Sequence, residues 1–228
     1  MKSFIICLSK IESSLSTARD MQEVLSSYGM ESELFEGSYG NETVELFNNN
    51  GRVCHPWGFK GPQSLYSDDD KASLSQPGVM GCFYSHYRLW QKCIELNEPI
   101  MVFEDDVKFT RSYEPVEFDE VLITVFGNPT KSAKYYHYLT DPTGTPRAEG
   151  YWQASMPGTP GYAIKPVAAK KLVEFFNNTF LPSDNAMMSG IIKIQVHSHV
   201  MGRALMGSDG KKSLVRGKNN FWDSYKNE

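Results

Sequence analysis

The sequence predicts an α/β fold built on an open sheet, and three observations carry that expectation. The amino-terminal segment reads as strand, helix, strand. Ile100-Met101-Val102-Phe103 reads as a buried strand that ends in three consecutive carboxylates, Glu104, Asp105 and Asp106, and the carboxyl end of a strand is where open α/β sheets bind ligands. Apolar runs of strand length and apolar residues at helical spacing then alternate along much of the chain.

Met1-Lys2-Ser3-Phe4-Ile5-Ile6-Cys7-Leu8 is too short for a signal peptide and predicts a first strand over 3–8. Ser13 and Ser16 are candidate caps for a helix carrying Leu15, Ala18, Met21, Val24 and Leu25 and stopping at Gly29. Glu33-Leu34-Phe35 predicts the second strand. Residues 37–78 are rich in Gly, Asn, Ser, Asp and Pro, with an aromatic knot at His55-Pro56-Trp57-Gly58-Phe59, and predict a long excursion of the kind that serves as a lid or binding loop. From Gly78 onward Cys82, Ser85, His86, Leu89, Trp90, Cys93 and Ile94 draw a helix that turns Ser85 and His86 inward. Asn97-Glu98-Pro99 ends that helix before the strand reaching Glu104.

Val121 to Phe126 is a further buried strand, followed by an irregular stretch from Gly127 to Gly150. Tyr162-Ala163-Ile164 is a short strand, after which Ala168, Ala169, Leu172, Val173 and Phe176 mark an amphipathic helix. Leu181-Pro182-Ser183-Asp184 leads into another helix through Ala186, Met187 and Ile191. Ile192 to Val200 alternates like a strand, which puts His197 and His199 on one face.

The 228 residues suit one domain with a real core, spanning 1–228, and a basic tail from about 203 to 228. That tail holds six Lys or Arg against three Asp or Glu, leaving −7 on the first 202 residues out of a net −4. The acidic total argues against wholesale binding to a polyanion. No apolar stretch approaches the roughly 18–20 residues of a membrane span. The cysteines at 7, 54, 82 and 93 show neither paired metal spacing nor disulfide-scaffold density, so reduced thiols in a cytoplasmic protein are expected.

Each candidate group also has a plain structural reading. The acids can form a solvated turn, His86 a satisfied core histidine, Asp184 a helix cap, and His197 and His199 an ordinary half-buried pair.

Three stretches resemble glycosyltransferase family 25, the lipooligosaccharide-type and collagen-type sugar transferases. They are Pro77-Gly78-Val79-Met80-Gly81-Cys82-Phe83-Tyr84-Ser85-His86 with Trp90, then Val102-Phe103-Glu104-Asp105-Asp106-Val107, and then Gly158-Thr159-Pro160-Gly161-Tyr162-Ala163-Ile164 with Ala168-Ala169-Lys170-Lys171-Leu172. With the amino-terminal strand and helix, the likeness covers roughly residues 1–190. The shorter length and the histidine strand look most like phage-encoded members.

The resemblance implies a GT-A-type fold, with a central mixed, mostly parallel sheet flanked by helices. It also implies a nucleotide-sugar donor, a divalent Mn²⁺ or Mg²⁺, and inverting transfer to a hydroxyl acceptor. Charge developing on a diphosphate leaving group is stabilised by such an ion, and hard carboxylate oxygens suit it. On this reading Asp106 is the first metal ligand, with Glu104, His199 and His197 as further candidates. Asp105, Ser85, His86, Arg19 and Ser9 face the donor. Asp184 matches a Pro-x-Asp motif and is the expected base for the acceptor hydroxyl.

Two places depart from the family pattern. The histidine strand is additional, and the amino-terminal acidic-Arg-Arg element is reduced to Ala18-Arg19-Asp20. Hydroxymethylated cytosine in phage DNA is one acceptor consistent with the likeness, with Lys211, Lys212, Arg216 and Lys218 available for phosphates. A lipooligosaccharide or other surface glycan is the alternative, and a glycan-binding relative without turnover is a third reading.

Overall fold

The computed structural model describes residues 1–54, 76–126, 159–187, 191–196 and 201–204. Strand β1 (Lys2–Cys7), helix α1 (Glu12–Ser27) and strand β2 (Ser32–Glu36) form the expected opening unit, with β1 and β2 parallel. The helix starts from Ile11 with no side-chain cap, so neither Ser13 nor Ser16 has the expected role. Ser14 is the buried serine of that turn, and its Oγ accepts a 2.9 Å hydrogen bond from the Leu8 amide. Gly29, at φ +75°, closes the helix in the left-handed region that glycine enters without steric cost.

The excursion expected over 37–78 is partly regular. It contains helix α2 (Gly40–Asn49) and the short strand β3 (Val53–Cys54). Polar composition hides that helix, but Phe47 anchors it, 1% exposed and packed against the rings of Phe83, Tyr84 and Phe180. The aromatic knot at 55–59 and the irregular stretch 127–150 lie outside the described residues.

Helix α3 (Pro77–Leu96) starts with proline, whose missing N–H is harmless in a first turn, and ends at Asn97, which takes a left-handed φ of 51°. Strands β4 (Ile100–Glu104), β5 (Val107–Phe109), β6 (Val121–Phe126) and β7 (Gly161–Ile164) follow. Next come helix α4 (Pro166–Phe175), strand β8 (Thr179–Phe180) and a single turn, α5 (Ser183–Ala186). The helix expected to run on to Ile191 breaks early among the described residues: the turn ends at Ala186, and Met187 has left helical geometry with ψ 76°. Strands β9 (Ile194–Val196) and β10 (Gly202–Ala204) close the described chain.

The main sheet runs β2-β1-β4-β7-β6-β10-β5, with β9 also paired to β6. It is mixed: β1 is parallel to β2 and β4, and β6 to β9 and β10, while β7 runs antiparallel to both β4 and β6 and β5 runs antiparallel to β10. Helices cover both faces, as expected for the fold class.

Period-two alternation divides the core between those faces. Ile100, Val102, Tyr162 and Ile164 pack toward α3 and α4. Met101, Phe103, Ala163 and Leu122 pack with Ala18, Met21 and Leu25 of α1. Helix α3 also lies close to the segment between β2 and α2. A Cβ on Gly81 would meet the Ser38 carbonyl oxygen at 2.4 Å, and one on Gly40 would meet the Pro77 carbonyl carbon at 2.5 Å. Both obstacles are backbone, so neither can swing aside. Gly81→Ala is therefore expected to destabilise the protein by roughly 1–3 kcal/mol, seen as a lower urea midpoint with an unchanged slope.

Candidate active site

Alternation at the end of β4 sends the adjacent acids to different places. Glu104 shares the face of Ile100 and Val102 and points toward α3. Asp105, the first residue after the strand, turns to α1, where the Ser14 hydroxyl donates to its Oδ2. Because Ser14 also accepts from the Leu8 amide, one serine ties the end of β1 to the acidic turn. Asp106 completes that turn, half-buried, before β5.

Under Glu104 lies a polar cluster that helical spacing assembles. Cys82, His86 and Trp90 stand one turn apart on α3, a stripe laid against β4 and β7. His86 is fully buried; its Nε2 is 3.1 Å from Glu104 Oε1 and its Nδ1 is 2.9 Å from the Tyr162 hydroxyl. Trp90 Nε1 donates to the same hydroxyl at 3.0 Å. Thr159 donates to Glu104 Oε1 at 3.1 Å and shares a 2.8 Å bond with Ser183, which also meets Cys82 Sγ at 3.2 Å.

Burial sets the charges in this cluster. It lowers the His86 pKa to about 3 despite the Asp184 carboxylate nearby. Burial likewise raises Glu104 to about 8, against the Thr159 hydrogen bond and with help from the charges of Asp105 and Asp184. Both shifts oppose ionisation, so the pair is a hydrogen bond between neutral groups at neutral pH. Asp184 is thereby placed beside the same cluster. It sits inside the first turn of α5, following Pro182 as the capping position, and its Oδ1 accepts from the Asn185 amide at 3.1 Å.

Cys82, His86 and Glu104 bring one sulfur, one nitrogen and one oxygen within 4.8 Å of each other, a combination used for zinc. Within the cluster these atoms bond to one another and to their neighbours: both ring nitrogens of His86 have partners, and Cys82 Sγ meets Ser183 Oγ at 3.2 Å.

A cavity of about 340 Å³ opens beyond the carboxyl ends of β1 and β2. Its wall includes Ser9, Glu36, Ser38, Tyr39, Tyr84 and Arg88. Burial alone would raise Glu36, but hydrogen bonds from the Ser9 amide and the Tyr39 hydroxyl, with Lys10 nearby, hold its carboxyl below the usual value. Ser85 reaches this region from α3: its Oγ accepts from the Ser38 amide at 2.8 Å and donates to the Gly81 carbonyl at 2.7 Å.

Of the residues expected from the sequence, the structure thus gathers Glu104, His86 and Asp184, sets Asp105 and Asp106 at the turn beside them, puts Ser9 in the cavity wall and places Ser85 behind that wall, bonded to Ser38. Arg19 is exposed on α1, near enough to Cys7 to weigh on that thiol. His197 and His199 lie outside the described residues. Thr159, Tyr162, Cys82, Ser183 and Glu36 escaped selection. The first three fall within the family-like stretches, whereas Ser183 and Glu36 carry no local signal.

Residues 1–187 match the family model described as "Glycosyltransferase family 25 (LPS biosynthesis protein)". The chain belongs to glycosyltransferase family 25. It is 27% identical over 133 residues to the lipooligosaccharide biosynthesis protein lex-1 of Haemophilus influenzae, covering 53% of this chain and 43% of that protein. A glycosyltransferase 25 family member of Aedes aegypti is 40% identical over 45 residues, covering 19% of this chain and 7% of that protein. The chain thus spans less than half the length of the curated relatives it matches. Mouse xyloside xylosyltransferase 1, in its apo form, superposes with a TM-score of 0.32 at 11% identity, over 86% of this chain and 70% of that one. Family membership sets the chain among proteins described as glycosyltransferases. Among the described residues, no helix is long and apolar enough to cross a membrane.

The two shifts have opposite consequences for stability. Glu104 is raised from 4.5 to about 8, so the folded state holds the extra proton and loses stability as pH rises through that window. His86 is lowered from 6.5 to about 3, so its contribution is present above 6.5 and is lost as pH falls toward 3. The effects oppose each other between 4.5 and 6.5. Between 6.5 and 8 only Glu104 acts. Glu104→Gln is expected to raise stability in chelator-treated protein by on the order of 1–2 kcal/mol at pH 8 and by less at pH 5, read from thermal unfolding midpoints.

Proposed function

We propose that the chain transfers a sugar, with inversion, from a nucleotide-sugar to a hydroxyl group of a saccharide acceptor. The observation that carries this reading is the joining of two features at the carboxyl ends of the parallel strands β1, β2 and β4. The cavity beyond β1 and β2 and the acidic turn after β4 are linked through the Leu8–Ser14–Asp105 hydrogen bonds.

In this reading the nucleoside occupies the cavity, between the apolar walls of Tyr39, Tyr84 and Leu46. Glu36, kept ionised by Ser9 and Tyr39, accepts hydrogen bonds from ribose hydroxyls there. The diphosphate then lies toward the acidic turn. The carboxylates of Asp105 and Asp106 are hard oxygen donors on a two-residue turn and fit a divalent ion such as Mn²⁺ or Mg²⁺. Glu104 joins them through the oxygen that His86 does not hold, and His197 or His199 stands as a further candidate. Such an ion would neutralise charge gathering on the leaving diphosphate.

For inversion the acceptor oxygen forms its bond to the anomeric carbon as the bond to the diphosphate breaks, and its proton passes to a base on the opposite side from the leaving group. Asp184 has that role here. Its neighbourhood favours the assignment, because it lies close enough to Glu104 to raise that carboxyl.

A saccharide acceptor of the lipooligosaccharide kind is favoured by similarity to a protein of that pathway and by the net charge of −4. The other acceptor, hydroxymethylated cytosine in phage DNA, rests on Lys211, Lys212, Arg216 and Lys218, which lie outside the described residues. On either reading the reaction belongs in the cytoplasm, where nucleotide sugars are available.

With Mn²⁺ present, slow release of nucleoside diphosphate from the matching donor is expected, with at least a hundredfold loss in Asp106→Asn and in Asp184→Asn when acceptor is supplied. Donor binding without turnover on any acceptor would leave only a glycan-binding relative. Glu36→Gln should weaken donor binding about tenfold while leaving kcat within a factor of two. Binding to hydroxymethylcytosine duplex that falls steeply with salt would move the acceptor assignment to DNA; a flat response keeps it with glycans.

A further inference from the structure

The buried chain of hydrogen bonds behind Glu104 has a direction, and that direction identifies a residue that positions the site. Trp90 Nε1–H can only donate, so at 3.0 Å the Tyr162 oxygen accepts from it. Tyr162 is fully buried, and its own proton must reach an acceptor. Among the described residues the acceptor in reach is His86 Nδ1, at 2.9 Å. A neutral imidazole that accepts at Nδ1 carries its proton at Nε2, and that nitrogen faces Glu104 Oε1 at 3.1 Å. The order is Trp90 to Tyr162 to His86 to Glu104, each group donating to the next.

Glu104 Oε1 consequently receives His86 Nε2–H, the Thr159 hydroxyl at 3.1 Å and the Cys82 thiol at 3.8 Å. Every side-chain hydrogen bond that the described residues make with this carboxyl falls on Oε1. That leaves Oε2 without one among them, on a side chain that is 23% exposed.

We propose that His86 is a positioning residue, locked by Tyr162 and Trp90 in the Nε2–H tautomer, which fastens Glu104 by one oxygen so that Oε2 alone meets the ligand. Glu104 then offers a single, aimed oxygen rather than a bidentate fork. Thr159 strengthens the clamp from the other side: its φ of +42° is a left-handed conformation that a β-branched residue rarely takes, and the hydroxyl it delivers lands on Oε1. This inference rests on the reading of Glu104 as a ligand-facing group, but its first test does not.

Nitrogen-detected NMR of the full chain, without donor or metal, reads the tautomer directly. One of the five histidines is expected to show an unprotonated Nδ1 and a slowly exchanging Nε2–H, with that signature lost in His86→Gln. In Tyr162→Phe the ring should redistribute between tautomers, and kcat should fall about tenfold with the donor KM within a factor of two. His86→Gln, which keeps an N–H for Glu104, should retain more activity than His86→Ala. A ring found as the Nδ1–H tautomer or as imidazolium in the wild-type chain overturns the proposal, as does an unchanged ring and unchanged kcat in Tyr162→Phe. Should Tyr162→Phe fail to fold, the wild-type spectrum still decides. Failure of sugar transfer with the expected tautomer in place would count against the functional reading instead.

Discussion

Helix α3 is buried on three sides, and both halves of the cleft are built against it. One stripe, Gly81 and Ser85, meets the segment from Ser38 to Gly40 so closely that no side chain fits at Gly81. The next, Cys82, His86 and Trp90, lies beneath Glu104 and Tyr162. A third, Phe83 and Tyr87, enters the aromatic cluster with Phe47, Phe176 and Phe180. A rotation of α3 that improved one contact would spoil the others. The helix therefore holds the cavity wall and the acidic strand end in a fixed relation, which a reaction between two bound groups requires.

The same geometry gives neighbouring acids different characters. Glu104 and Asp105 are adjacent in sequence but leave β4 toward opposite faces. Glu104 enters a pocket where burial opposes charge, and its partners are neutral donors. Asp105 is bound by a serine that also fastens the end of β1. In a protein interior, like charges this close are costly unless the environment separates them. Here one carboxyl is neutralised by its surroundings, which removes one of the like charges from the strand end. A cation or a positively polarised ligand group arriving at Oε2 would reverse that penalty.

The strands with continuous apolar runs, β4 and β6, and the helices with clear stripes, α1, α3 and α4, were legible because burial imposes a period on the sequence. Helix α2 was not, since Asn, Glu and Gly dominate it and the Phe47 anchor stands almost alone. The helix expected after Asp184 failed for the opposite reason: Ala186, Met187 and Ile191 satisfy helical spacing, yet Met187 is fully buried where the backbone has already turned away. In the site, Glu104 and His86 were visible as a charge at a strand end and a polar residue on an apolar face. Their connection was not, because Tyr162 and Thr159 come from a strand and its approach, 76 residues after His86 and 55 after Glu104 respectively, and nothing local in Gly-Thr-Pro-Gly-Tyr states which way a hydroxyl points.

That approach to β7 also shows where the protein accepts cost. Gly161 lies opposite Phe103, and a Cβ there would meet the Val125 side chain at 2.5 Å, so β7 can sit between β4 and β6 only with glycine at this position. Two residues earlier Thr159 adopts its left-handed φ, fully buried. A glycine at 159 would relieve the backbone and lose the hydroxyl that reaches both Glu104 and Ser183. Stability alone favours the glycine at a left-handed position. A threonine kept there, beside an imidazole without charge and a carboxyl that burial protonates, puts three separately unfavourable groups within one hydrogen-bonded cluster. Such concentration of strain and desolvation is expected where structure is spent on holding a reactive group still, and not where it merely fills a core.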